Sequence, residues 1–284
     1  GSEMCIRDRC ICETPDCNPE ACPYARGHFD RINEAVYELL TTGSDALGRE
    51  ALLAQARKHR VCPFELSLDT ASWTDVVICD YNYVFDPNVR LKRFFGEGVK
   101  GDYLFLIDEA HNLVERGREM FSAVLCKEDF LELKRALKGR DHKAERLLER
   151  CNRYLLGLKR ECESWQLHKN VDPLILMALS LSAELERLRE EGLEPELDQK
   201  VLEFWFSLRN FLNTADLLDE NYVIYSEMGE NGNFYLKLYC VETAENLCAC
   251  LDQGRSAIFF SATLLPMPYY KHLLGAEDDY AVYA

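Results

Sequence analysis

A chain of 284 residues, 48% hydrophobic and 29% charged, reads as globular and soluble and is long enough for more than one lobe. Its net charge of −16 excludes general coating of nucleic acid but leaves room for a local basic track, because binding follows the distribution of charge rather than its total. Residues 174–183 form the longest strongly apolar stretch, far short of the ~18 residues a membrane span needs, and thirteen cysteines without a secretory signal point to a reducing, cytoplasmic setting rather than to disulfides.

Gly1-Ser2 reads as a cloning remnant, and residues 1–26 as a cysteine-rich loop. The spacing is Cys10-x6-Cys17-x4-Cys22, followed by Pro23-Tyr24-Ala25-Arg26-Gly27-His28 and later by Cys62-Pro63-Phe64. Four thiolates brought together hold an iron–sulfur cluster or a zinc ion. Zinc ribbons carry tight Cys-x2-Cys pairs and this chain has none, which favours a cluster; Cys5 or Cys12 could stand in for Cys10. The remaining cysteines, Cys79, Cys126, Cys151, Cys162, Cys240, Cys248 and Cys250, read as buried thiols.

Residues 27–40 predict an amphipathic helix with Phe29, Ile32, Val36, Leu39 and Leu40 on one face, and Ser44 is the expected cap of a second helix reaching about Arg60. Residues 76–79 predict a short buried strand, followed by Tyr81-Asn82-Tyr83-Val84-Phe85-Asp86-Pro87. Residues 103–107 predict another, ending in Asp108-Glu109-Ala110-His111. Ligands of open parallel sheets bind at that edge of the strands. Two adjacent carboxylates there suit a Mg-nucleotide, one holding the metal while the other orients and deprotonates a water. The plainer alternative is a pair of acids complementing a helix dipole.

Residues 128–218 keep a helical period with breaks at Pro173, Gly192 and Pro195, and predict an all-helical insertion. Within it, residues 134–160 hold ten Lys or Arg against three acids. Lys143, Arg146, Arg150, Arg153 and Arg160 recur at helical spacing beside an apolar stripe of Leu147, Cys151, Tyr154 and Leu158. Most such stripes are solvated faces; the functional reading is a contact to a phosphate backbone. Residues 222–228 and 234–239 flank Asn231-Gly232, a strong hairpin signal. Residues 257–260 predict a last buried strand, ending in Ser261-Ala262-Thr263, whose hydroxyls can exchange partners with a carboxylate or histidine. Short apolar strands between helices indicate an α/β fold with a parallel sheet.

Taken together, residues 17–28, Cys62-Pro63-Phe64, residues 81–87, Asp108-Glu109-Ala110-His111 and Ser261-Ala262-Thr263 resemble the iron–sulfur superfamily 2 DNA helicases of the XPD/DinG family, most closely bacterial ones. The resemblance implies a partial RecA-like sheet of the P-loop NTPase type, interrupted by an iron–sulfur domain and a helical arch domain. Its domains would be residues 1–74 (cluster), 75–120 (first motor segment), 121–220 (arch) and 221–284 (return to the motor). It implies ATP-driven 5′ to 3′ translocation on single-stranded or forked DNA, in DNA repair, by a monomer. Asp108 would hold Mg²⁺ through water, Glu109 would position the attacking water, and His111 would couple the nucleotide to Ser261 and Thr263. Cys10, Cys17, Cys22 and Cys62 would hold a structural [4Fe–4S] cluster. Tyr24, Arg26, His28, Tyr81 and Tyr83 become candidates for the single-strand path, because aromatic and cationic side chains grip single strands without reading sequence.

The chain departs from that pattern in having no Gly-x4-Gly-Lys-Ser/Thr loop to cradle phosphates, and no second motor domain follows Ser261-Ala262-Thr263. The expectation is that it is a fragment that neither hydrolyses ATP nor unwinds DNA alone. Two other classes stay open: a non-catalytic nucleic-acid-binding module held by zinc or a cluster, and a redox sensor.

Overall fold

The structure, a computed structural model, describes residues 10–12, 17–44, 46–96 and 100–282. The chain packs as two compact units, Gly1–Asp80 and Tyr81–Ala284.

The first unit is built on three helices, α1 (His28–Leu40), α2 (Arg49–His59) and α3 (Pro63–Ala71). Ile32, Ala35, Val36 and Leu39 follow the three-and-four spacing of one helix face and pack with Leu52, Ala56 and Leu66. Polar tethers close the bundle. Arg31 donates to the carbonyls of His59 (2.8 Å) and Arg60 (2.6 Å) at the end of α2, and Glu38 bonds Lys58 and His59.

Several expectations fail here. Phe29 is 87% exposed, the first turn of α1 burying His28 in its place, and Leu40 is only half-buried. Ser44 caps no helix: its hydroxyl turns to the carbonyl of Ala46, and α2 starts from Gly48. Residues 76–79 form no strand, and Val76 and Ile78 are 75% and 91% exposed. A strand needs a neighbour for its N–H and C=O groups, and none among the described residues pairs with this one. Cys79 is accordingly exposed rather than buried. Helix α3 was not foreseen; Pro63 supplies its first residue with a pre-set φ.

The second unit holds two cores. The first lies around a parallel pair, β1 (Leu104–Ile107) and β6 (Ser256–Phe259), in register from Leu104↔Ser256 to Ile107↔Phe259. It is packed by α4 (Asn82–Phe85), α5 (His111–Met120), α10 (Ala244–Leu251) and α11 (Met267–Leu273) through Phe85, Leu113, Val114, Leu247 and Leu273. Phe105 and Ile107 point inward while Leu104 and Leu106 are 59% and 64% exposed, so β1 is half-buried rather than buried on both faces as expected.

The second core corrects the expectation of an all-helical middle. Helices α6 (Lys127–Ala136), α7 (His142–Glu161), α8 (Asp172–Glu190) and α9 (Pro195–Ala215) are joined by two strands, β2 (Ala123–Cys126) and β3 (Trp165–His168). These flank the hairpin of β4 (Tyr222–Met228) and β5 (Phe234–Cys240) in an antiparallel sheet of order β2-β5-β4-β3. Each added strand is four residues long, too short for a period of two to stand out between long helices. The hairpin itself forms as expected, and it pairs with β2 and β3, not with β1 and β6. Leu125, Phe234, Leu236 and Leu238 face the helices, where Phe130 and Phe204 meet edge-on at 4.9 Å.

Candidate functional site

Parallel pairing of β1 with β6 brings two distant motifs to one sheet edge. Past the last paired residues, the Phe260 N–H donates to the carbonyl of Ile107 (3.0 Å), and the Ala110 N–H donates to the carbonyl of Phe260 (3.2 Å). Those two bonds fasten Asp108-Glu109-Ala110-His111 beside Ser261-Ala262-Thr263. The turn between β1 and α5 is tight. Glu109 adopts φ 46, the left-handed region that a non-glycine residue occupies at a cost of about 1–2 kcal/mol. Two groups hold it there. Asp108 Oδ1 accepts from the Glu109 N–H at 2.8 Å, and the Tyr81 hydroxyl donates to the carbonyls of Asp108 and Glu109.

Both carboxylates are exposed and the side chains behind them are linked. His111 Nδ1 lies 2.7 Å from Ser261 Oγ and 3.2 Å from Glu109 Oε2. Ser261 Oγ reaches Glu109 Oε2 at 3.3 Å and receives the Thr263 N–H at 3.1 Å, with Thr263 Oγ1 3.4 Å away. The arrangement that uses each hydrogen places one on His111 Nδ1, donated to the hydroxyl, which donates on to Glu109. Glu109 is thereby oriented by the second motif. Asp108 keeps one carboxylate oxygen for a cation, which suits Mg²⁺, an ion held by one or two carboxylates together with phosphates.

The cysteines lie in the first unit. Burial, with the thiols of Cys22 and Cys10 beside it, pushes the Cys12 thiol up to about 11. Burial also raises Cys62, against the pull of the Glu65 and Phe64 N–H groups at the start of α3, and Cys17 lies near enough to add to that rise. Cys10, Cys12 and Cys22 thus lie near one another, and Cys17 lies near Cys62. Soft thiols fit an iron–sulfur cluster or zinc in kind. Among the described residues, no three metal-binding side chains converge to hold an ion, so these thiols do not close a four-ligand cage. Cys5 lies outside the described residues.

Of the residues expected on the single-strand path, Tyr24, Arg26 and His28 lie in the first unit and Tyr81 and Tyr83 in the second. His28 is buried, takes the Cys62 N–H on Nδ1, and has a lowered pKa because burial disfavours its charge. Arg26 folds back onto the carbonyls of Pro19 and Glu20. Tyr24 and Tyr83 are half-buried, and Tyr81 serves the acidic turn. No spacing in the sequence announced that role; only the fold puts its hydroxyl there. On α7, Arg146, Arg150 and Arg153 are exposed, whereas Lys143 pairs with the buried Glu184 of α8. No helix among the described residues is long and apolar enough to cross a membrane.

A sequence model of the DEAD_2 family matches residues 2–130. The chain is 30% identical over 137 residues to the general transcription and DNA repair factor IIH helicase subunit XPD/RAD3 of Saccharomyces cerevisiae, covering 48% of this chain and 16% of that protein. It is 36% identical over 73 residues to the Fanconi anemia group J protein homolog of Gallus gallus, covering 26% and 6%. It is 35% identical over 86 residues to the human regulator of telomere elongation helicase 1, covering 30% and 7%. The aligned stretches span less than a fifth of these relatives' own length.

Proposed function

We propose that the chain, which the DEAD_2 model matches over residues 2–130, belongs with the iron–sulfur superfamily 2 helicases and is the part of an ATP-dependent 5′ to 3′ DNA helicase that carries the acidic nucleotide motif. The observation that supports this reading best is the hydrogen-bonded set Glu109, Ser261 and His111 at the end of two parallel strands. ATP with Mg²⁺ supplies the phosphoryl group to be transferred. Asp108 holds the metal through water. Glu109, steered by Ser261, orients the attacking water. His111, Ser261 and Thr263 report the state of that carboxylate to β6, the path by which hydrolysis would reach translocation on DNA.

The β1–β6 pair is the part of the RecA-like sheet present here, and the α6–α9 unit with its antiparallel sheet is the arch. On this reading Cys17, Cys22, Cys62 and either Cys10 or Cys12 would have to draw together to hold a structural [4Fe–4S] cluster, and metal binding would ionise their thiols whatever their free pKa. Lacking a phosphate-cradling lysine loop, the chain alone hydrolyses no ATP.

Two measurements test this. Protein purified without oxygen should be brown, absorb broadly near ~400 nm and carry about four irons per chain. A colourless protein with one zinc would refute the cluster and favour a zinc-held nucleic-acid-binding module. Phosphate release should not exceed that of an Asp108→Ala, Glu109→Gln control, and release above it would overturn the assignment of inactivity.

A further inference from the structure

The basic residues of the helical unit are concentrated in one stretch, and some of them are paired with acids. Residues 134–160 hold ten of the 33 Lys and Arg and only three of the 49 acids in a chain of net charge −16. The structure gathers Lys134 of α6 and Arg146, Arg150 and Arg153 of α7 around a groove of about 590 Å³. The acids within it are occupied in holding it together. Glu149 crosses from α7 to bond Lys134 at 2.8 Å and meets Arg153 at 3.5 Å, and hydrogen bonding from Lys134 keeps it well below the usual carboxylate range. Glu145 accepts the Gly139 N–H at 2.7 Å in the loop before α7. Arg146 spends only its Nε, on the carbonyl of His142, and Arg150 has no acceptor among the described residues. The two guanidinium groups therefore have donors to spare among the described residues, and they stem from positions one helical turn, about 6 Å along the axis, apart on a helix whose opposite face is locked into the core by Leu147, Leu148, Cys151 and Leu155.

We infer that this groove is a track for the phosphate backbone of single-stranded nucleic acid. Rigid, regularly spaced guanidinium groups match a linear polyanion with a regular charge repeat, and Arg takes phosphate oxygens bidentately. No Tyr, Trp or Phe lines the groove, so it offers bases no stacking surface and reads no sequence. Lys143, turned to Glu184, takes no part. The inference rests on the reading that the chain's working partner is DNA, and it assigns a binding surface formed by α6 and α7 rather than by the residues of the acidic motif.

The test is fluorescence anisotropy of a labelled oligothymidine across a range of salt. Each phosphate contact contributes about 0.7 to the slope of log affinity against log salt, or about fivefold at 0.1 M. Arg146→Ala with Arg150→Ala should therefore lower the slope by about 1.4 and the affinity by about 25-fold at that salt. The paired Lys replacements should keep the slope, and Lys200→Ala, an exposed cation on α9, should change neither. An unchanged slope in the double alanine variant overturns the inference, as does failure of the wild-type chain to bind at all. Equal competition by polyglutamate of matched charge would also overturn it, in favour of an acidic protein partner. None of these outcomes bears on the iron content or phosphate release that test the helicase reading, so the two can fail separately.

Discussion

Tyr81→Phe removes one oxygen and keeps the ring, which packs against the core around β1 and β6. What is lost is the donor that holds the carbonyls of Asp108 and Glu109. A single O–H shared between two acceptors counts as one hydrogen bond, worth about 0.5–1.5 kcal/mol net. Against it stands the about 1–2 kcal/mol cost of Glu109 in the left-handed region, which the remaining Asp108 Oδ1 bond must then hold alone. The turn should open more often by about 1 kcal/mol, or about fivefold. Two separate units make a single unfolding free energy ill-defined, so the assay is amide hydrogen exchange. Exchange at Glu109 and Ala110, whose N–H groups bond Asp108 Oδ1 and the Phe260 carbonyl, should quicken about fivefold while the amides of α7 and α9 keep their rates. Unchanged exchange at those two amides, or quickening that spreads across the chain, would refute the claim that the hydroxyl pins the turn.

Ser261→Ala should shift the imidazole C–H resonances of His111 in the NMR spectrum and leave the helical unit's spectrum intact; an unmoved His111 would mean the 2.7 Å contact does not persist in solution. Phe130→Ala removes a fully buried ring from the α6–α9 core and should cost about 3–5 kcal/mol, read from the urea midpoint of helix loss. The same unit should weaken in acid. Lys134 bonds Glu149, and Lys143 with Arg187 outweighs the effect of burial on Glu184, so both carboxyls sit below their ordinary 4.5 in the folded chain. Depressed folded values mean the stabilisation is whole above about 4.5 and is lost as pH falls below it, so the urea midpoint should hold steady from neutral to about pH 5 and decline beneath. A midpoint that rises on acidification would contradict the pairing.

The acidic motif and its serine–threonine partner were legible because each follows an apolar strand, and two such strands in an α/β chain pair in parallel. The hairpin was legible from Asn231-Gly232. What could not be read depends on partners far along the chain. Four residues of β2 become a strand only because β5 lies beside them, whereas residues 76–79, equally apolar, join neither sheet among the described residues. Exposure misled in the same way: a helical wheel assigns Phe29 to the face of Ile32, but in the first turn it is His28, bonded to the Cys62 N–H, that is buried. The role of Tyr81 carried no sequence signal at all, because its hydroxyl meets backbone atoms, which every residue has.

The order of strands in the antiparallel sheet constrains how the chain can be made. Ala123 of β2 pairs with Leu238, and the edge strand β3 pairs with β4, so neither early strand touches the other. Helices α6 to α9 can form locally as they are synthesised, but the sheet that closes over Leu125 has no partner until the hairpin emerges. The sheet of this unit therefore closes only when its last-made piece is present, and a chain cut short before the hairpin would leave the apolar side of the helices uncovered.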